Sequence, residues 1–234
     1  MAQCLRRLLL VVWFGVCPCG PAQEPAAAEP PAKEGAQAQS IVWEVDNLKA
    51  IGGQPASAEG GPQVIATDRG PAVSFDGQDD AIFLETNALE GCAAFTVEAL
   101  FRPAADGPHE QRFFHVQETD GESRVLLELR VVPGGLWYAD TFIRAGRKQC
   151  ALVDPKLTHP CDQWHTLALV CDGKQMTHYV NGVKELARGM LFAPLGKGRT
   201  SLGVRLNRVS WFKGTLRRIR ITPRALTPEE LLRP

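Results

Sequence analysis

The sequence predicts an all-β domain of two stacked antiparallel sheets, finished by one short C-terminal helix. Three observations carry this. From Ile41 onward, short apolar runs alternate with Gly, Pro, Asn and Asp and show no sustained helical period. Twelve such runs fit between Ile41 and the C-terminus, more than one open sheet of about ten strands holds without splitting or curling. The dipeptides Asp76-Gly77, Asp172-Gly173 and Asn181-Gly182 stand at joints between runs, where tight hairpin turns need positive φ values.

Residues 1–22 are expected to be a cleaved signal peptide. Arg6 and Arg7 supply its positive end, and Leu8 to Val16 form an apolar core too short to span a bilayer comfortably. The chain is therefore expected to be secreted or periplasmic. Cys17 and Cys19 raise a minor alternative, a lipid anchor on a processed cysteine, although the residues before each fit a lipobox poorly. Residues 23–40 are Ala, Pro, Glu, Gln and Lys without apolar period, a composition that buries too little surface to offset chain entropy, and are expected to be a disordered linker.

Within the domain, 41–234, strands are expected near 41–46, 62–67, 71–76, 80–85, 93–102, 111–118, 123–132, 136–143, 163–171, 175–181, 200–206 and 213–221. The terminal helix is read from Thr227, Pro228 and Glu230, which together have the form of a capping box with proline at the first helical position.

Four stretches resemble the laminin-G-like branch of the concanavalin A-like lectin and glucanase superfamily. These are Ala72 to Gly77 with Asp80 following, Phe95 to Pro103, the run from Trp164-His165 through Asp172-Gly173 to Tyr179-Val180-Asn181-Gly182, and Phe212-Lys213-Gly214 leading to Thr227-Pro228-Glu229-Glu230. The resemblance implies a bent, jelly-roll-like sandwich whose concave face or rim loops often meet carbohydrate, sometimes with calcium. It leaves function open, because a fold shared by lectins, adhesion modules, hydrolases and lyases does not fix a site.

Charge narrows the partners. Lys plus Arg and Asp plus Glu each total 26, and removal of residues 1–22 leaves a formal charge of −2. No basic stripe is present, so nucleic acid is not an expected partner, and no further run reaches transmembrane length. Oligomeric state is not readable.

Alternation nominates a ligand-binding face. From Arg124 to Val131, Val125, Leu127, Leu129 and Val131 point one way, and Arg124, Leu126, Glu128 and Arg130 the other. Cross-strand pairing with the neighbouring runs is expected to bring His115, Glu128, Arg130, Tyr138 and Asp140 together, with Gln111 and Gln117 beside His115 and with Trp137 or Tyr138 as a ring to stack on. Arg205 and Asn207, on a polar face near a strand end, would extend the groove. His165 and His178 alternate with apolar residues, which predicts buried, hydrogen-bonded rings; His178 is retained as a ligand-binding candidate because the sheet could bring it to His115.

Calcium is the one cofactor the sequence raises, at Asp79 and Asp80 with Asp76 in the same turn. Cys92, Cys150, Cys161 and Cys171 remain after processing, and a bridge from Cys150 to Cys161 is expected to close a short loop. No Gly-x-Ser-x-Gly elbow, zinc-ligand spacing or paired-acid motif of a glycosidase strand occurs, and no catalytic residue is nominated. The expectation is an exported, non-catalytic module that recognises carbohydrate or a glycoconjugate through a polar sheet face. The alternatives are a polysaccharide lyase or glycoside hydrolase on the same fold, and a protein-adhesion module.

Overall fold

A computed structural model describes residues 39–234. The expected signal peptide, the lipid-anchor cysteines Cys17 and Cys19 and nearly all of the linker lie outside these residues. Among the described residues, sixteen strands form two sheets in which every strand pairing is antiparallel. In sheet order, the first contains β14 (Val183–Gly189), β13 (Gln175–Val180), β12 (His165–Cys171), β7 (Phe95–Pro103), β16 (Lys213–Thr222), β5 (Ala72–Asp76) and β4 (Gln63–Ile65), while β1 (Ile41–Glu44) also pairs with β16. The second runs β11 (Lys148–Pro160), β10 (Leu136–Ala145), β9 (Arg124–Val132), β8 (Glu110–Glu118), β15 (Gly198–Leu202), β6 (Ala81–Leu84), β3 (Gln54–Glu59) and β2 (Ala50–Ile51). The described residues contain no helix long and apolar enough to cross a membrane.

Each expected run lies on a strand, and four strands, β2, β3, β11 and β14, arise where none is expected. β2, β11 and β14 occupy sheet edges and β3 lies next to β2, and β3, β11 and β14 are largely solvated, so no buried alternation marks their sequences. The C-terminal helix is one 3-10 turn, Pro228–Glu230, with Glu230 Oε2 accepting the Thr227 amide at 2.9 Å. At the β13–β14 hairpin, Asn181 and Gly182 both take positive φ, 52° and 74°, as that two-residue turn requires.

The inward faces interlock through aromatic rings. Phe101 on β7 stacks on Phe113 of the opposite sheet at 4.5 Å and meets Trp137 edge-on at 5.2 Å, and all three are fully buried. Such pairs add about 1 kcal/mol each to the stabilisation from buried area. On β9, Val125, Leu127, Leu129 and Val131 enter this core as alternation predicts.

The expected disulfide is overturned. Cys92, Cys150, Cys161 and Cys171 are free thiols. Residues 148–160 form a strand and not a short loop, so Cys150 and Cys161 sit near opposite ends of it. The β10 partners of Cys150 and Pro160, Ile143 and Leu136, are seven residues apart, about 23 Å of extended chain against a disulfide limit of about 7 Å between Cα atoms.

Past β15 the chain leaves the second sheet at Gly203 and closes back on that residue at Phe212 before entering β16 of the first sheet. Gly203 donates to Phe113 O at 3.2 Å, and its own carbonyl accepts from Phe212 N at 2.8 Å, which cinches the intervening loop at its base. Gly203 has φ of +84°, and a Cβ there would lie 2.4 Å from the Phe75 ring. Gly203→Ala is therefore expected to lower the unfolding free energy by about 2–4 kcal/mol. Denaturant unfolding of the two proteins checks this; an unchanged midpoint would mean the loop base yields without strain.

Candidate functional site

The outward face of the second sheet carries the polar array. Register places Asp140 opposite Glu128, Tyr138 opposite Arg130, and His115 opposite Leu126. Between Arg112 and Phe114 the pairing slips, leaving Phe113 as an extra residue that turns inward beside Phe114. This bulge reverses the alternation upstream of it. Arg112 and Glu110 then share the face of His115, and Gln111, expected there, is fully buried away from it, accepting from Lys213 N at 2.8 Å and donating to Pro108 O at 2.6 Å.

The loop from Gly203 to Phe212 folds across this face. Arg112 donates from its backbone to Ser210 O at 2.9 Å and from its guanidinium to Ser210 Oγ, and Leu206 N donates to His115 Nδ1 at 2.9 Å. The cover leaves Glu128 only 4% exposed and His115 with no exposure, although both stand on an outer sheet face.

Ion pairs satisfy most of the enclosed charge. Arg112 Nε lies 2.9 Å from Glu128 Oε2, though out of hydrogen-bond alignment, and Arg112 also pairs with Glu110. Arg130 reaches Asp140 Oδ2 with Nε at 3.0 Å and Nη2 at 2.6 Å, and Glu110 Oε2 with Nη1 at 2.7 Å. Arg124 stands with its Cζ 5.0 Å from the Phe142 ring centroid. Arg112, Arg124, Leu126, Glu128, Phe142 and Arg205 enclose a cavity of about 90 Å³.

Burial shifts the two titratable groups in opposite directions. It pushes the Glu128 carboxyl up to about 7, with Arg112 pulling the other way and Asp140 adding to the rise. It holds His115 down to about 3, reinforced by Arg205, Arg124 and Arg112. His115 is thus neutral, and acceptance at Nδ1 puts its proton on Nε2, a buried atom with no hydrogen-bond partner.

Of the sequence candidates, His115, Glu128, Arg130, Tyr138, Asp140 and Arg205 come together on one face. Arg205 does so from the loop, since β15 ends at Leu202. Asn207 is exposed at the tip of a turn closed by Arg208 N on Arg205 O at 2.7 Å and stands apart from the enclosed charges. His178 lies on the other sheet and points inward to Thr141 Oγ1 at 3.1 Å and Glu185 Oε2 at 3.4 Å. His165 is interior too, at 2.8 Å from Pro160 O, so the three histidines form no cluster. Trp137 is a core ring and not a platform.

Asp76, Asp79 and Asp80 bring carboxylate oxygens within 4.8 Å of one another. Both Asp80 oxygens already accept backbone amides, from Gly61 at 2.6 Å and Asp76 at 2.8 Å, and Asp76 Oδ1 accepts Gln78 N at 2.8 Å. These acids brace a turn, and too few uncommitted oxygens remain on them for the six to eight a calcium ion takes. A larger depression of about 540 Å³ beside Arg147, Lys148 and Lys174 is lined mostly by exposed side chains.

A family model described as the concanavalin A-like lectin/glucanases superfamily matches residues 50–232. The chain belongs to this superfamily. No curated protein matches the chain. Among solved structures, this member of the superfamily is similar to domain 4 of a GH43 extracellular arabinanase from Geobacillus stearothermophilus, in complex with arabinotriose, with TM-score 0.60 and 18% identity over 83% of this chain and 97% of that one. It is also similar to the binding domain of Paraclostridial mosquitocidal protein 1, with TM-score 0.61 and 14% identity over 82% of this chain. A third is the binding domain of botulinum neurotoxin DC in complex with SialylT, with TM-score 0.59 and 10% identity over 82% of this chain. The chain spans about half the length of the two toxin domains, 50% and 49%. At these identities the likeness is one of fold.

The titration of Glu128 gives a signed test. Its carboxyl is raised above the unfolded value of 4.5, so its stabilising protonation is complete below about 4.5 and is lost as pH climbs through about 7. Glu128→Gln, fixed in the neutral form, is expected to match wild type at pH 4 and exceed it by about 2–3 kcal/mol at pH 8. Urea unfolding at both pH values measures the difference. A glutamine variant weaker at pH 8 would show that the Arg112 pair outweighs burial.

Proposed function

We propose that the chain is an exported carbohydrate-recognition module that binds its ligand on the outer face of the second sheet, at the cavity beneath the Gly203–Phe212 loop. The observation that carries this reading is the enclosed array of Arg112, Arg124, Glu128 and Arg205 above the apolar surfaces of Leu126 and Phe142. Fixed donors and acceptors beside apolar surface are what orients a polyhydroxylated ligand. The arabinotriose complex of the arabinanase domain and the SialylT complex of the toxin domain support it, since both proteins share this fold. Export rests on Arg6, Arg7 and the apolar run Leu8 to Val16.

A non-catalytic role is favoured by how the acids are held. Asp140 is bound by Arg130 at 2.6 Å and Glu128 lies under the loop, so neither is presented as a free nucleophile or base. Retention on a panel of immobilised oligosaccharides tests the reading. Arg124→Ala and Arg205→Ala are the variants of choice, because neither removes a partner from an ion pair among the described residues, and each is expected to weaken retention at least tenfold while the fold survives. Equal retention of both variants would make the face solvated surface only. Partners captured regardless of competing sugar would support protein adhesion instead, and release of unsaturated product from uronate polysaccharide would make the chain a lyase.

A further inference from the structure

The cavity has more donors than acceptors. Arg112 is matched by Glu128 and Glu110, but among the described residues neither Arg124 nor Arg205 has a carboxylate within ion-pair distance. Arg124 donates only to the backbone oxygen of Glu122, at 3.0 Å. The Glu122 carboxylate itself pairs with Arg144. His115 sits beside the same arginines, and its Nε2 proton is buried without an acceptor. The repulsion registers on Arg124, whose pKa is lowered by burial first and then by Arg205 and Arg144.

Unmatched positive charge in a half-enclosed cavity floored by Leu126 and Phe142 is costly, because the low local dielectric strengthens repulsion and removes the water that would screen it. One anion between the guanidiniums offsets their mutual repulsion. The cavity is small, about 90 Å³, and open on one side. A single carboxylate or sulfate group fits a space of this size.

Building on the carbohydrate reading above, we infer that the ligand is an acidic saccharide whose carboxylate or sulfate seats between Arg112, Arg124 and Arg205. Planar guanidinium forks match either group in bidentate fashion, which a lysine at the same place would not. The sugar ring then lies outside the cavity, and the charge, not the ring, decides which polymer is retained.

The test pairs each acidic glycan with its neutralised form on the full chain. A uronate polymer is compared with its methyl ester, and a sulfated polymer with its desulfated product, by affinity electrophoresis at low and high salt. Free sulfate and acetate are titrated in parallel by thermal shift. At least tenfold preference for one acidic form is expected, weakened by salt and abolished in Arg205→Gln, and whichever pair discriminates identifies the group as uronate or sulfate ester. Equal retention of acidic and neutral forms overturns this inference and leaves the carbohydrate reading standing. Retention of no glycan, with stabilisation by sulfate or acetate that Arg205→Gln abolishes, removes the carbohydrate reading and keeps the anion site. Neither glycan retention nor anion stabilisation removes both.

Discussion

The burial of Glu128 is the constraint on which the outer face depends. A carboxylate in the middle of a sheet face ordinarily stays solvated, and closing a loop over it removes several kcal/mol of hydration that only opposite charge and proton uptake can offset. Both offsets are present. Arg112 lies 2.9 Å away, and the carboxyl rises to about 7. Arg112 in turn is held by Glu110 and by Ser210 of the covering loop, and Glu110 also holds Arg130, which clamps Asp140. The face is therefore one connected network and not a set of independent surface pairs.

The loop that creates this burial depends on the same network. Its base is tied at Gly203 and Phe212 within the core, but its crown is held by two groups of the polar face, His115 through Leu206 N and Arg112 through Ser210. His115 can accept that amide only while neutral. Its pKa is lowered to about 3 from an ordinary 6.5, so its contribution is complete above about 6.5 and is lost as pH falls toward 3. Glu128 loses its contribution in the opposite direction. The two windows overlap, and the cover is thereby most stable where the gain from one offsets the loss from the other, between about pH 4.5 and 6.5.

Much of this face was legible from β9 alone, because a strand with one buried side writes its orientation into every second residue: Val125, Leu127, Leu129 and Val131 against Arg124, Glu128 and Arg130. Arg112 was not legible. The bulge at Phe113 shifts the phase by one residue, and its single trace in the sequence is the Phe113-Phe114 pair, two adjacent large side chains that both face the core. Arg205 was read on the right face for the wrong reason, as a continuing strand, since Gly203 bends the chain out of the sheet where apolar alternation through Leu202, Val204 and Leu206 persists. The solvated edge strands β11 and β14 carry too few buried positions to write any period.

His178 shows why alternation on one strand does not assign a face to function. Its neighbours predicted burial correctly, but burial here is between the sheets. Thr141 of the second sheet, His178 and Glu185 of the first, and His159 of the second form a chain of polar contacts of 3.1, 3.4 and 2.7 Å that bridges the two layers where the edge strands β11 and β14 meet. That bridge sets two histidines and a carboxylate against one another at this end of the sandwich. The histidine that remains beside uncommitted charge is His115, and it lies on the opposite side of the second sheet. Fold similarity at 10–18% identity carries across the layers and the hairpins but not this distinction, which rests on which single residues the bulge and the loop bring under cover.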